Sequence, residues 1–217
     1  MSQTELLILG ATGATGRHVL QQAQDAGFKI HVLARDPSKL VGAAPDLQII
    51  QGDARDPEHL SQAMPSGGLV VSCLGIGPRG PKSFYSQTAG AIVEAAKDRS
   101  PRQIVVLSTL GTGSTAYRRT PLLSGMFRLT GANWILEDRG QEEEIYRSSN
   151  QPVTVLQSCL LSNGKPRGRT MLLEPTELPR LGFMGRMIAR QDVANNLLQI
   201  AQSPSEVPET KCLLPKP

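Results

Sequence analysis

Short apolar runs along the chain alternate with segments in which apolar residues recur at helical spacing. Five of these runs predict strands, at residues 5–9, 29–34, 47–51, 69–73 and 103–107. Between them, residues 15–26 and 88–99 predict helices, and Gly27 is placed to end the first of these. Strands that alternate with helices predict an α/β fold in which a mostly parallel sheet is covered by helices on both faces.

The first strand leads directly into the sequence Gly10-Ala11-Thr12-Gly13-Ala14-Thr15-Gly16, which runs into the first helix. Residues without a Cβ allow a sharp turn and let a pyrophosphate approach the backbone, while the helix start offers free N–H groups to the anion. A strand before and a helix after are the context that this motif requires, so we predict a doubly wound, dinucleotide-binding Rossmann fold. The predicted diphosphate contacts are Gly10, Thr12, Gly13, Ala14, Thr15 and Gly16. The alternative is a glycine turn that binds nothing.

The end of the second strand indicates which dinucleotide is bound. An acidic residue there would bind the ribose hydroxyls of NAD, but this chain has Arg35. A guanidinium favours a 2′-phosphate, which it can grip with two hydrogen bonds, and Arg17, Ser38 and Lys39 are expected to add charges and a donor. We therefore predict NADP as the cofactor. Alternatively, Arg35 is a solvated charge that Asp36 partly neutralises.

The ends of the later strands supply the rest of the predicted groove, because ligands of open parallel sheets lie outside the carboxyl ends of the strands. Asp53 is expected to accept a hydrogen bond from the adenine amino group, or instead to cap the turn that follows it. Ser108 and Thr109 follow directly on the predicted fifth strand and are the predicted catalytic residues, which orient the nicotinamide and the acceptor. The other predicted groove residues are Ala54, Cys73, Leu74, Gly75, Ser158 and Cys159.

Further sequences accompany the glycine loop: Leu-Ala-Arg-Asp at 33–36, Gly-Asp-Ala at 52–54, Leu-Ser-Thr-Leu-Gly at 107–111 and Arg-Ser-Ser at 147–149. Together they resemble the atypical short-chain dehydrogenase/reductases, which have NAD(P)-binding Rossmann domains. The resemblance covers nearly the whole chain, and the size and layout are most similar to the biliverdin-IXβ reductase/flavin reductase type. It implies an NADPH-dependent reductase that passes hydride to a flavin such as FMN or riboflavin, or to a bilin.

One feature of that family is missing. Members that reduce ordinary ketones use a tyrosine and a lysine, spaced Tyr-x-x-x-Lys, to protonate the carbonyl oxygen. Aligned through Arg147, this chain has Ile135 and Arg139 at those positions. Tyr146 is expected to be a packed helix residue rather than a substitute acid. Flavins, bilins and quinones can take their proton from solvent, so the gap favours an acceptor of that kind.

Two segments without clear periodicity, 111–133 and 162–187, are the predicted substrate loops. Their basic residues outnumber their acidic ones and are Arg118, Arg119, Arg128, Lys165, Arg167, Arg169, Arg180 and Arg186. A basic rim above the nicotinamide would attract a small anionic aromatic substrate such as a flavin phosphate or a bilin. The alternative for any one arginine is a solubilising surface role.

The composition disfavours other functions. The 217 residues carry a net charge of +4 without a block of five basic residues, which argues against nucleic acid. Three cysteines without a CxxC pair and three scattered histidines predict neither a disulfide framework nor a metal site. No apolar run approaches the roughly 20 residues that span a bilayer. We therefore expect a monomeric, single-domain, cytoplasmic protein that does not bind membranes.

The segment that contains Arg139 and Arg147 is expected to be helical and carries two further expectations. Its Glu142-Glu143-Glu144 run is interpreted as a solvated face, with pairing to Arg139 or Arg147 as the alternative, and Trp134 is expected in the core. Two functions from different classes remain: the NADPH-dependent reductase, and a non-catalytic NADP sensor or assembly factor. The missing Tyr-x-x-x-Lys pair suits both. The arginine-rich loops favour the enzyme, because they suit an anionic second ligand.

Overall fold

The computed structural model describes residues 3–40, 47–77, 79–119, 121, 125, 128–178 and 187–216. These residues form the strands β1 (Glu5–Leu9), β2 (Lys29–Ala34), β3 (Gln48–Gln51), β4 (Leu69–Ser72), β5 (Gln103–Thr109), β6 (Val153–Ser158), β7 (Leu160–Ser162), β8 (Thr170–Leu173), β9 (Met187–Ala189) and β10 (Glu209–Pro215). They also form the helices α1 (Gly16–Asp25), α2 (Pro57–Ala63), α3 (Phe84–Arg99), α4 (Asn133–Arg147) and α5 (Arg190–Ala201). Short 3₁₀ helices span Pro37–Leu40, Gly113–Arg118 and Pro175–Glu177.

Eight of the described strands form one sheet in the order β3-β2-β1-β4-β5-β6-β10-β8. Neighbouring strands in it are parallel except at one edge, where β8 runs antiparallel to β10. The direction of winding reverses between β1 and β4, and the crevice outside their carboxyl ends is where such sheets bind ligands. The predicted α/β fold with a doubly wound, mostly parallel sheet is confirmed.

The central strands β1, β2, β4, β5 and β6 are buried on both faces, which explains why they are largely apolar rather than alternating. Along β1, Leu6 and Ile8 belong to the layer that includes residues of α1 and α5, whereas Leu7 and Leu9 belong to the layer with α2 and α3. Tyr146 of α4 lies in the second layer and is 1% exposed, so its expected packing is confirmed. None of the helices in the described part of the chain combines the length and apolar character needed to cross a membrane.

The helix α3 begins at Phe84, four residues before the predicted start. Its first N–H groups are capped by a residue from another helix: the Asp138 carboxylate accepts hydrogen bonds from the backbone N–H groups of Tyr85 (2.8 Å) and Ser86 (3.1 Å). The Ser86 hydroxyl donates to the same carboxylate at 2.6 Å. A carboxylate satisfies N–H groups that a helix start leaves without partners. Because this cap comes from α4, the local sequence gives no sign of it.

Other boundaries follow local signals closely. Gly27 has a φ of 76°, and the bonds from Gly27 N to Gln24 O and from Phe28 N to Ala23 O end α1 as predicted. The strand β5 continues two residues past its predicted end, to Thr109, because it pairs with β6 as far as Ser158.

The structure also places regular elements in both predicted substrate loops: a 3₁₀ helix that packs against α4, and the edge strand β8. Residues 120, 122–124, 126–127 and 179–186, with Arg180 and Arg186, lie outside the described residues.

The prediction of a solvated glutamate face on α4 is wrong for two of its three residues. Glu142 and Glu143 are 3% and 5% exposed, because α4 packs this side against the sheet and the 3₁₀ helix 113–118. The alternative pairing is the one observed, with Glu142 bound to Arg139 and Glu144 bound to Arg147. Trp134 is half-buried rather than a core residue.

The glycine loop generates a prediction about stability. A Cβ on Gly16 would lie 2.0 Å from the carbonyl oxygen of Gly10, so Gly16→Ala forces the backbone apart. We expect this variant to lose about 1–3 kcal/mol of unfolding free energy in urea titrations, as overpacked sites do. The control is Gly90→Ala in α3, where nothing lies within 4 Å of the added Cβ. It should gain up to about 1 kcal/mol from helix propensity. Equal effects of the two substitutions would contradict the steric account.

Candidate functional site

The glycine loop lies directly against the end of β4. Gly10 has a φ of 81°, and a Cβ there would be 2.8 Å from the carbonyl oxygen of Cys73. The N–H of Gly13 closes the turn on Gly10 O at 2.9 Å, and α1 begins at Gly16. Glycine is needed because the backbones of the two segments touch and because a positive φ strains other residues. The result is a cradle of backbone atoms at the N-terminus of a helix, which suits a diphosphate.

One groove brings together nine of the predicted cofactor residues. Its lining includes Gly10, Thr12, Gly13, Arg35, Asp53, Ala54, Cys73, Leu74 and Gly75. Four residues that the sequence analysis did not single out also line it: Leu33, Ala34, Gly52 and Phe84. The first three are chain neighbours of predicted residues. Phe84 reaches the groove because Asp138 of α4 caps the first turn of α3, and no local signal could have found it.

Arg35 is exposed at the end of β2, on the groove. The expected alternative, neutralisation by Asp36, is not what the structure shows. Asp36 instead accepts hydrogen bonds from the Ser38 hydroxyl (2.6 Å) and N–H (3.2 Å) and pairs with Lys39 at 3.4 Å. These bonds, chiefly that from the Ser38 hydroxyl, lower the pKa of Asp36. Among the described residues no ion pair occupies Arg35, which leaves its guanidinium available to a ligand.

Two residues that were expected to bind the 2′-phosphate together with Arg35 make other contacts in the structure. The Ser38 hydroxyl is committed to Asp36 and is not a free donor for a 2′-phosphate, because the two side chains close a tight turn. Arg17 donates from Nε to the carbonyl oxygen of Thr12 at 3.2 Å and is not among the residues that line the groove. Arg35 is therefore the cation that the described structure places on the groove.

Asp53 takes the turn-capping role that was the alternative to adenine binding. Its carboxylate accepts from the N–H of Arg55 at 3.0 Å and from the Nη2 of the Arg55 guanidinium at 2.6 Å. The Arg55 hydrogen bonds, and to a smaller extent the charge of Arg35, lower the pKa of Asp53. Asp53 remains part of the groove lining, as an ionised carboxylate that is already bound to Arg55.

The predicted catalytic hydroxyls lie where β5 and β6 end together. Thr109 pairs in register with Ser158, and the N–H of Leu110 donates to Ser158 O at 3.0 Å, which brings Cys159 to the same edge. Ser108 is 4% exposed, and its hydroxyl has no hydrogen-bond partner among the described residues. A buried hydroxyl without a partner costs free energy, so a bound polar group beside it would be favoured. This orphaned hydroxyl and the glycine cradle both fit a dinucleotide.

A buried guanidinium lies beneath the ends of β4 and β5. Arg139 is 7% exposed and donates from Nη1 to Leu107 O and from Nη2 to Leu74 O, each at 3.0 Å. Its Cζ lies 3.6 Å from the centroid of the Tyr85 ring, and Nη1 also donates to Glu142 at 2.7 Å. Arg139, which the sequence analysis aligned with the lysine of the Tyr-x-x-x-Lys pair, does not line the groove. It fixes the spacing of two strand ends that frame the groove.

Burial raises the pKa of other ionisable groups near the strand ends. Burial raises the pKa of the Cys73 thiol to about 12, and that of the Tyr146 hydroxyl well above its usual range. Burial also raises the pKa of Glu142 to about 7, although Arg139 opposes this. A guanidinium does not give up its proton at neutral pH. Arg139, Glu142 and Tyr146 do not line the groove. Cys73 does line it, but the raised pKa of its thiol makes it a poor proton donor at neutral pH.

A buried polar network that sequence reasoning missed holds the chain after β5. Glu143 accepts from Gln157 Nε2 (2.7 Å), Ser114 N (3.2 Å) and Thr210 Oγ1 (2.9 Å). Gln157 also donates to Thr112 O at 3.1 Å and accepts from the Thr115 hydroxyl. The network ties residues 112–115 to β6, so the backbone that follows Thr109 is fixed. The signal in the sequence was the polar Gln157 within an apolar strand.

The family to which the chain belongs is shown by comparison with known proteins. A family model described as NAD(P)H-binding matches residues 10–204, from the first glycine of the loop to beyond α5. This chain belongs to the NAD(P)H-binding family. The predicted NAD(P)-binding Rossmann-type family is thereby confirmed.

Solved structures share the fold of this NAD(P)H-binding protein at low sequence identity. ChuY, an anaerobilin reductase from Escherichia coli O157:H7, is 18% identical, with a TM-score of 0.80 over 99% of this chain and 100% of that chain. SP1627, a putative NADH-flavin reductase from Streptococcus pneumoniae TIGR4, is 16% identical, with a TM-score of 0.76 over 98% and 100%. A Veillonella parvula short-chain dehydrogenase/reductase in complex with NADP is 16% identical, with a TM-score of 0.75 over 100% and 96%. These identities show the fold alone.

Curated relatives of the chain have varied names. Averufin oxidase A of Aspergillus flavus is 38% identical over 79 residues, which are 31% of this chain and 28% of that protein. The photosystem II assembly factor Ycf39 of Cyanophora paradoxa is 28% identical over 126 residues, 54% of this chain and 37% of that protein. The chain thus spans less than half the length of these relatives.

The two ion pairs of α4 allow a matched test of the Arg139 contacts. Arg139→Ala leaves Glu142 buried without its partner and frees two strand-end carbonyls, so we expect a loss of about 3–5 kcal/mol of unfolding free energy. Arg147→Ala breaks an exposed Arg–Glu pair of the same spacing on the same helix and should cost less than about 1 kcal/mol. Denaturant titration measures both. Similar losses in the two variants would show that Arg139 is not the strand-end clamp described.

Glu142 gives a pH-dependent prediction. Its pKa rises from 4.5 to about 7 in the folded chain, so between these values the folded chain holds a proton that the unfolded chain has lost. Stability from this group is therefore present below pH 4.5 and declines as pH rises to 7. Relative to Glu142→Gln, the wild type should lose up to about 3 kcal/mol of unfolding free energy between pH 4.5 and 8. Glu144→Gln, on the exposed pair, should leave the pH profile unchanged. A wild-type profile parallel to that of Glu142→Gln would contradict the shift.

Proposed function

We propose that this protein is an NADPH-dependent reductase that transfers hydride to a flavin or a bilin. The observation that carries the proposal is the groove with the glycine loop and the unpaired guanidinium of Arg35 on its lining. The hydroxyls of Ser108 and Thr109 lie at the end of β5, and the chain lacks the tyrosine–lysine pair at the aligned positions. The first feature favours a 2′-phosphate. The second favours an acceptor that takes its proton from solvent.

On the cofactor side, the backbone of Gly10 to Gly16 binds the diphosphate at the start of α1. Arg35 binds the 2′-phosphate of the adenosine, while Ala54 and the chain at Cys73 to Gly75 pack along the nucleotide. The absence of a side chain at Gly75, where nothing lies within 4 Å of an added Cβ, leaves room for the ribose. These assignments agree with the NAD(P)H-binding family and add the preference for NADP.

On the acceptor side, bound NADPH supplies a hydride from C4 of the nicotinamide. Thr109 and Ser108 orient the nicotinamide and the acceptor, with Ser158 and Cys159 on the neighbouring strand end. Arg139 positions the strand ends and does not exchange protons. The oxidised flavin receives the hydride and one proton from solvent, so that flavin, NADPH and a proton become reduced flavin and NADP⁺. The names of the structural neighbours ChuY and SP1627, a bilin-type and a flavin reductase, support this class of acceptor.

A non-catalytic NADP-binding assembly factor is the second candidate. It is favoured by the name of the relative Ycf39, of which this chain spans 37%. The two candidates differ in one property: a reductase consumes NADPH when an acceptor is added, whereas an assembly factor binds NADPH without turnover.

Arg35 provides the test of cofactor choice. Charge-assisted hydrogen bonds to the 2′-phosphate are each worth roughly 1.5–3 kcal/mol, so Arg35→Asp should weaken NADPH binding by about 10-fold or more and NADH binding little. Titration calorimetry with both nucleotides gives the ratio directly. Arg55→Ala, which removes a neighbouring arginine already bound to Asp53, is the control and should leave the ratio unchanged. Equal wild-type affinities for NADPH and NADH would refute the NADP preference.

Turnover is tested by mixing the protein with NADPH and FMN under anaerobic conditions and measuring the loss of absorbance of NADPH and of oxidised FMN. We expect catalytic reduction of FMN by the wild type. Thr109→Ala should slow it by about 10- to 100-fold, the cost of lost orientation, rather than abolish it. Thr109→Ser, which keeps the hydroxyl, should recover most of the rate. NADPH binding without consumption, for FMN and for biliverdin alike, would favour the assembly factor. A pKa in the wild-type rate profile that disappears in Thr109→Ala would show that the protein supplies the proton.

A further inference from the structure

A second cavity, of about 360 Å³, lies beyond the carboxyl end of β6 and is separate from the dinucleotide groove. It is open to solvent and is lined by the turn between β7 and β8, the strand β9 and the start of α5. Three cationic side chains line it, Lys165, Arg167 and Arg169, together with apolar groups of Met187, Ile188 and Pro215. Such a cavity suits an anionic group carried on a partly apolar molecule.

The one carboxylate in the lining is already engaged. Asp192 is 7% exposed, and its two oxygens accept hydrogen bonds from the backbone N–H groups of Arg167 (2.9 Å) and Gly168 (3.1 Å). These bonds fix the turn that presents the cations, and the start of α5 further stabilises the negative charge. Three cations against one carboxylate leave a formal charge of +2 in the lining.

The three cationic side chains do not form ion pairs with carboxylates of the described residues. The nearby Arg190 is held by Asn163 at 2.7 Å, and Glu174 is bound to Lys211 at 2.5 Å. The exposed cationic side chains of the turn are therefore free to bind a ligand.

The chain connects this cavity to the proposed site of hydride transfer. The strand β7 begins one residue after Cys159 and ends at Ser162, which lines the cavity. At about 3.3 Å per residue, these three residues span roughly 10 Å. That distance is comparable to the length of a ribityl chain with its terminal phosphate. A propionate alone is shorter, and a bilin spans that distance only together with part of its ring system. An acceptor of this length with its ring at Thr109, which pairs with Ser158 at the end of β6, extends toward the cavity with its anionic end.

We propose that the cavity lined by Lys165, Arg167 and Arg169 binds the terminal anionic group of the acceptor, and so selects FMN over riboflavin. The proposal rests on the reductase function proposed above and specifies its substrate class. Arginine pairs with phosphate or carboxylate through two parallel hydrogen bonds, which gives a geometric as well as an electrostatic preference for the charged acceptor.

The test compares charged acceptors with their uncharged counterparts: FMN with riboflavin, and biliverdin with its dimethyl ester. For the wild type, one of the two pairs will be reduced. Within that pair we expect kcat/KM to be at least about tenfold higher for the charged acceptor than for the uncharged one. The double variant Arg167→Ala/Arg169→Ala should lose this preference and retain the rate with the uncharged member, which also shows that it is folded. Lys97→Ala removes an exposed charge on α3 and is the matched control, with no expected change.

A binding measurement separates this inference from the proposed function. Quenching of flavin fluorescence gives the affinity for FMN and riboflavin without turnover, and the double variant should weaken FMN about tenfold or more and riboflavin little. If FMN and riboflavin differ in affinity, the bound anionic group is a phosphate. If biliverdin and its dimethyl ester differ, it is a propionate. Reduction of charged and uncharged acceptors at equal rates by the wild type would overturn the cavity proposal and leave the reductase intact. Charge-dependent flavin binding without NADPH consumption would support the cavity and overturn the reductase.

Discussion

The placement of one buried guanidinium determines how the carboxyl edge of this sheet is built. Arg139 joins the carbonyl groups of Leu74 and Leu107, which belong to the ends of neighbouring strands, and rests on the ring of Tyr85. The Tyr85 hydroxyl in turn accepts the N–H of Ile76 at 3.0 Å. A charge that is buried this deeply is tolerated because Nη1 and Nη2 bind two carbonyl oxygens and the Glu142 carboxylate, and the guanidinium also lies over an aromatic ring. The backbone from Leu74 to Ile76, which borders the dinucleotide groove, is held by this set of contacts.

The adjacent residue on α4 extends the same arrangement to the other wall of the groove. Asp138 caps the start of α3 and thereby places Phe84 on the groove lining. One turn of α4 thus organises two walls of the site, while the glycine loop forms the third by backbone contact with Cys73. Arg139, aligned in the sequence analysis with the lysine of the Tyr-x-x-x-Lys pair, has a structural role here. This difference agrees with an acceptor that needs no acid from the protein.

The parts of the site that were predicted from sequence are those that depend on local constraints. A strand, three glycines and a helix start specify a turn whose sterics involve adjacent residues, and Arg35 follows a strand whose apolar run is unmistakable. Contacts between distant segments were not predictable in the same way. The burial of Glu142 and Glu143, the cap on α3 and the presence of Phe84 all depend on how α4 packs against α3 and the sheet. A run of three glutamates is ordinarily solvated, and the local pattern gave no reason to expect otherwise.

The central claim is that the protein holds NADPH and an acceptor together for direct hydride transfer. NADPH carrying deuterium at one or the other of its two C4 positions tests this most directly, in single-turnover reduction of the preferred acceptor. A protein that holds the nicotinamide against Thr109 presents one face of the ring, so one isotopomer should react more slowly and the other at the unlabelled rate. Equal rates for both isotopomers at the step that consumes NADPH, or NADPH that is bound and never oxidised, would contradict the account.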